Sequence, residues 1–200
     1  MNSFSHVPRI GRLDRGPRDA ITDVAGVTVG QVTLAEGPMQ TGVTVIRPHA
    51  RDPFRHKAPA AVAVINGFGK SVGLLQLTEL GQLETPIALT NTFSVGTVAQ
   101  AQIVQCLRAN PEVGRALPTV NPLVLECNDG YLNDSQRMAI TPAHYAQACD
   151  SSGQDVAQGA VGAGRGMSSF QLKGGIGTAS RQALLAAGAQ YTVGALVLAN

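Results

Sequence analysis

Hydrophobic and polar positions alternate with period two from Ile21 onward. In ITDVAGVTVGQVTL, Val27 and Val29 share one phase and Val32 and Leu34 the other, with the slip at Gly30, which predicts two strands or one bulged strand. A turn at Glu36-Gly37-Pro38 leads into TGVTVIRP, where Val43 and Val45 fall on one side and Thr44 and Ile46 on the other. The two segments together predict a β-hairpin. Residues 60–65, AAVAVI, are a continuous apolar run of strand length, expected to be buried on both faces and stopped by Asn66-Gly67-Phe68-Gly69.

The period then changes. Leu74, Leu77, Leu80 and Leu83 recur every third residue behind Ser71, a candidate N-cap, and predict a helix that Gly73 and Gly81 weaken. PIALT (86–90) predicts another strand. Val95, Val98, Ala99, Ile103, Cys106 and Leu107 then form one helical stripe running to Asn110-Pro111. Leu123, Val124 and Leu125 predict a buried strand ending at Glu126, and Thr141-Pro142 reads as N-cap and first turn of a helix through about Cys149. Glycines crowd the stretch GAVGAGRGMSSFQLKGGIG (159–177), and YTVGALVLA (191–199) is a closing strand. Six to eight strands and about three helices in mixed order predict a layered α/β sandwich with mostly antiparallel sheets. Residues 1–20, rich in Arg, Pro and Gly, read as an extended arm that packs late or on a partner subunit, leaving 21–200 as a single domain.

Composition narrows the function classes. Only 14% of the 200 residues are charged, 44% are hydrophobic, and 15 Lys and Arg balance 13 Asp and Glu. That balance is too even for a nucleic-acid footprint, and 4% aromatic residues without Trp supply no base-stacking platform. No stretch of 18 apolar residues occurs and no apolar leader opens the chain, so no membrane partner is expected and a cytoplasmic location is. Cys106, Cys127 and Cys149 lie 21 and 22 residues apart, without a Cys-x-x-Cys pair. Neither a zinc site nor a disulfide framework is expected, and no cofactor is implied.

Candidate chemistry is sparse. The glycine-rich segment lacks the G-x-x-x-x-G-K-[ST] of a phosphate loop, and Gly162-x-Gly164-x-Gly166 misses the dinucleotide spacing, so close layer packing is the better reading. Ser168 and Ser169 follow glycines as turn residues do, and no Ser-His-Asp order stands out. Glu126 differs, because a carboxylate ending an apolar strand is partly desolvated where sheet ends open into pockets, and it is suited to hold an ammonium group. Pairing with an Arg or a backbone N–H at the surface is the competing reading. Asn128, Asp129, Asn133 and Asp134 read as turn formers. Asn200, directly after the last strand, carries an amide suited to donate to an oxyanion.

ITDVAGVTVGQVTL, TGVTVI, INGFGKSVGL, LTNTFSVGTV, LVLECNDGYLND, GAVGAGRGMSSFQLKGGIGTASR and VGALVLAN, in this order over residues 21–200, resemble the self-processing aminopeptidases of the D-aminopeptidase and β-peptidyl aminopeptidase family. A nylon-oligomer hydrolase is among the relatives of that family. The resemblance implies a four-layer αββα sandwich like that of the N-terminal-nucleophile hydrolases, with different connectivity. It also implies a precursor that cuts itself into two tightly associated subunits, αβ units that assemble further, and a small peptide, amide or ester substrate. This chain resembles the larger, N-terminal subunit, and the nucleophilic Ser or Thr belongs to the start of the smaller one. By motif, Asn200 matches the oxyanion-hole Asn and Glu126 the acid that meets the substrate's free amine. An aromatic residue two positions after that acid in some members is Asn128 here, with Tyr131 the nearest ring, and Leu117 is a candidate apolar wall that reads equally well as core. A related self-cleaving acyltransferase of the ornithine acetyltransferase type, and a non-catalytic binding or assembly protein with the same fold, are the alternatives.

Overall fold

The computed structural model describes residues 10–185 and 188–200, so the first nine residues of the expected arm lie outside the described residues. Strand β1 (Thr28–Glu36) and strand β2 (Met39–Arg47) pair antiparallel without a break, Thr28 opposite Arg47 and Glu36 opposite Met39. The hairpin is as expected, and Gly37 in its two-residue loop has φ +51°. The expected bulge is absent. The phase slip at Gly30 arises because both faces of β1 are covered: Val29 packs on one side with Ile46 and Leu89, Val32 and Leu34 on the other with Val43 and Val45. Gly30 marks the change because a Cβ there would lie 1.7 Å from the Ala148 carbonyl oxygen. Strand and helix approach too closely for any side chain.

Strand β3 (Ala58–Pro59) is only two residues long, and 60–65 form no strand. This corrects the expectation of a doubly buried run: Val64 is 57% exposed and Ile65 99%, because no described element covers them. Helix α1 (Leu74–Leu80) is capped by glycines rather than by Ser71, Gly73 at φ +95° before it and Gly81 at φ +63° after it. Leu83 therefore falls on strand β4 (Gln82–Leu83), which pairs with β3. Strand β5 (Ile87–Asn91), helix α2 (Val95–Ala109), strand β6 (Leu123–Cys127) and helix α3 (Pro142–Asp150) follow at the expected places. Thr141 precedes α3, and its backbone N–H donates to His144 Nδ1 over 3.1 Å.

The chain ends in two ribbons. Strands β7 (Ser168–Ser169) and β8 (Leu172–Lys173) make a minimal hairpin, and β9 (Gly175–Leu184) pairs along its length with β10 (Gln190–Ala199). The larger sheet has the order β1-β2-β5-β6, antiparallel except for the parallel pair β5–β6. Helices α2 and α3 cover one face through Val98, Ala101, Tyr145 and Ala148, and β9–β10 covers the other through Ile176, Leu196 and Leu198. Three layers result: helices, sheet, sheet. The outward face of β10 presents Tyr191, Val193 and Val197, each more than half exposed.

The described part of the arm lies on its own chain. Asp14 bridges Gln182 of β9, Gly16 N donates to Ser180 Oγ, and the buried Asp23 carboxylate accepts from Ser180 Oγ and from the Arg18 and Ala20 N–H groups.

Candidate active site

Strands β5 and β6 run parallel and end together, with Thr90 opposite Glu126 and Asn91 opposite Cys127. Side chains just beyond these ends share one opening. Between the two sheets lies a cleft of about 460 Å³ walled by Ile46, Leu89, Leu125, Leu196 and Leu198, and Glu126 is its charged residue. An apolar trough with a single carboxylate at one end is a layout that orients an amphiphilic ligand.

Glu126 is half-buried and held from two sides. Its Oε1 accepts from Lys70 N over 2.8 Å and its Oε2 from the hydroxyl of Thr92, the first residue after β5. A carboxylate has about four lone-pair sites. Two remain for an ammonium group. Lys70 contributes only its backbone here, since its Nζ donates to Phe68 O and stacks 4.0 Å over the Phe68 ring.

Asn200 follows β10 and meets the segment after β6. Its Nδ2 donates to Asn128 O over 2.8 Å and to Ser168 O over 3.3 Å, with Met167 Sδ at 3.4 Å. Asn200, 74 residues from Glu126 in the chain, is thus tied to the backbone two residues beyond it. Asn128 participates through its backbone oxygen, while its side chain accepts from Gly130 N and shapes the turn. Beneath it Asp129 is buried, 1% exposed, with Oδ1 accepting from Asn133 Nδ2. Burial pushes its carboxyl above the ordinary range despite the neighbouring polar groups of Thr41, Asn133 and Asn91. Asn133 in turn accepts from Gln40 N, so the 128–134 loop is pinned to the β1–β2 hairpin.

Tyr131 is 85% exposed and walls no cleft among the described residues. Leu117 is not brought to the site: it packs with Phe54, Val113 and Val120 beyond the C-terminal end of α2, whereas Thr92 precedes the N-terminal end of that helix. A 15-residue helix, ~22 Å long by its rise per residue, separates the two regions. Ser168 and Ser169 lie in the β7–β8 hairpin, where Ser168 offers its carbonyl to Asn200. Sequence reasoning missed Thr92 and the Lys70 backbone, because a hydroxyl and an N–H from separate loops leave no spacing to detect.

Residues 19–200 match the model of peptidase family S58. The chain belongs to that family. It is 42% identical over 195 residues to a β-peptidyl aminopeptidase of Sphingosinicella xenopeptidilytica, covering 92% of this chain and 48% of the relative. Among solved structures it resembles the PH0078 protein of Pyrococcus horikoshii, with TM-score 0.94 and 48% identity over 96% of this chain and 57% of that one. It also resembles the L-aminopeptidase D-Ala-esterase/amidase of Ochrobactrum anthropi, a prototype of the serine aminopeptidases and a variant of the Ntn hydrolase fold, with TM-score 0.88 and 33% identity over 96% of this chain and 55% of that one. The fold is therefore the expected Ntn-type sandwich. The chain spans about half the length of the curated relatives it matches.

Proposed function

We propose that this chain supplies the amine-recognising and oxyanion-stabilising half of a serine-type aminopeptidase, the nucleophile coming from the remainder of a self-cleaved precursor. The observation that carries this reading is that the Glu126 carboxylate stands at the end of an apolar cleft while the Asn200 amide donates to the Asn128 carbonyl, two residues further along the same segment. The free ammonium of a small peptide, amide or ester binds Glu126, with Lys70 N and Thr92 fixing both carboxylate oxygens. The partner's Ser oxygen attacks the adjacent carbonyl carbon and loses its proton to a base on that subunit. The carbonyl oxygen becomes an oxyanion and takes an N–H of Asn200 in place of a main-chain acceptor. Collapse expels the amine or alcohol with that proton, and water then releases the acyl group from the Ser oxygen.

Two further features support a partner subunit from the same precursor: the bare outward face of β10, and the exposed run ending at Ile65. Both are exposed apolar surfaces, of the kind that a further layer and a neighbouring strand cover in a four-layer sandwich. Intact-mass analysis of the complete gene product, combined with hydrolysis of an amino-acid anilide, tests the reading. Two chains and release of the aniline are expected. A single uncut chain without hydrolysis would return the protein to the class of non-catalytic binders.

A further inference from the structure

The glycine-rich stretch 159–177, which fits neither a phosphate loop nor a dinucleotide fingerprint, carries one cation in an uncommon setting. Lys173 of strand β8 is an exposed residue, yet its Nζ turns back and donates to three main-chain carbonyls, Gly164 O over 3.0 Å, Met167 O over 2.9 Å and Gly174 O over 2.9 Å. An ammonium group has three hydrogens to donate. All three are used. No carboxylate pairs with this group among the described residues: burial first, and then the charge of nearby Arg165, push it below the ordinary lysine value. A surface lysine commonly keeps its charged head in water, whereas this one gives it to backbone dipoles alone.

Those carbonyls belong to the chain that surrounds Asn200. Gly174 N also donates to Met167 O over 2.9 Å, and Ser168 stands opposite Lys173 in the β7–β8 pair, so the cage closes around residues 167–174. Gly174 packs directly on the residue before Asn200, since a Cβ there would lie 2.3 Å from Ala199 O. Met167 is fully buried, and its Sδ lies 3.4 Å from Asn200 Nδ2, which also donates to Ser168 O over 3.3 Å. Of the three groups that the Asn200 amide meets, two therefore come from Met167 and Ser168. The Lys173 ammonium holds the peptide carbonyl between them.

Carbonyl oxygens that converge on one point repel each other unless a cation sits between them. We propose that Lys173 is a positioning residue for the reaction: its ammonium gathers the Gly164, Met167 and Gly174 carbonyls and so sets the orientation in which the Asn200 amide meets the oxyanion. The proposal deepens the reading of Asn200 as the oxyanion donor and rests on it. Lysine suits this task and arginine does not, because the three carbonyls converge on a single atom while a guanidinium spreads its donors over a planar fork.

A double-mutant cycle on the mature form of the complete gene product tests it, combining Asn200→Ala with Lys173→Met, which keeps the reach of the side chain and removes its charge. Lys173→Met alone should lower kcat on an amino-acid anilide by roughly tenfold to a hundredfold, the scale of a small misplacement at a reacting centre. KM should stay unchanged, because the amine is held by Glu126. In the Asn200→Ala background the same substitution should change kcat by no more than about twofold, since the residue through which it acts is gone. Where Lys173→Met yields no mature enzyme, Lys173→Gln, which returns two N–H donors without the charge, takes its place in the cycle. A loss confined to the melting temperature, or an equal loss of kcat with and without Asn200, overturns the role of Lys173 while Asn200→Ala alone remains impaired. An Asn200→Ala enzyme as active as the wild type overturns the reading of Asn200, and the proposal with it.

Discussion

The placement of Asn200 and Glu126 was legible from single positions: an amide after a strand, a carboxylate near the end of one. Their supports were not. The donors to Glu126 are a backbone N–H from the Asn66–Lys70 loop and the hydroxyl of Thr92, and neither residue type announces such a role. Leu117 shows the reverse failure, an apolar residue whose type suits a pocket wall and whose neighbours are Phe54, Val113 and Val120. At this scale the account predicts that Asn200→Ala keeps the fold, since the residue is exposed and follows the last strand pair, but lowers kcat by about a hundredfold or more, as loss of one oxyanion donor does in a serine protease. The kcat of the mature variant on an amino-acid anilide checks this. An unchanged value would remove Asn200 from the reaction.

Elements with branched or leucine-rich periodicity were readable, and those defined by backbone proximity were not. Strand β2, helix α2 and helix α3 carry their buried faces in their sequence. Strand β9, GIGTASRQAL, carries no such stripe, and its first residue serves close approach: a Cβ on Gly175 would lie 2.3 Å from the Gly159 carbonyl oxygen. Gly30 makes the same point in β1, where α3 occupies the space of a side chain. Gly30→Ala should therefore push α3 off the sheet and destabilise the protein by ~1–3 kcal/mol or more, the range for overpacking a core. Chemical denaturation measures it, with Gly96→Ala, an α2 position with open space around it, as the comparison that should be neutral or stabilising. Equal effects at both positions would mean that β1 and α3 are not in this contact.

Across the whole molecule, the arm and the 128–134 loop give opposite responses to acid. Burial works against the Asp23 carboxylate, but hydrogen bonds from Ser180, Arg18 and Ala20 and the Arg18 charge outweigh it and hold the group below its ordinary value of 3.8. A lowered folded value means that the stabilisation is present above the unfolded pKa and is lost as pH falls through the folded one. Asp129 is raised by burial, so its contribution is largest below the unfolded pKa and is lost as pH rises through the folded value. Asp23→Asn should thus lower stability at neutral pH and flatten its acid-side decline, while Asp129→Asn should flatten the opposing slope with little loss at neutral pH. Denaturation midpoints from neutral to acid pH decide both, and parallel curves for the three proteins would contradict the assignments. The apolar run at 60–65 makes the point at this scale: hydrophobicity marks a surface that water avoids, not which element covers it.

The central claim is that Glu126 receives the free amine of the substrate, and Glu126→Gln tests it most directly because it keeps the shape of the side chain and removes its charge. A charge-assisted contact of ~1.5–3 kcal/mol corresponds to roughly tenfold to a hundredfold in kcat/KM. The account predicts a loss of that size for substrates with a free N-terminal amine, and almost none for the same substrates N-acetylated, which are poor with either protein. Equal losses for both classes, or no loss for either, would contradict it.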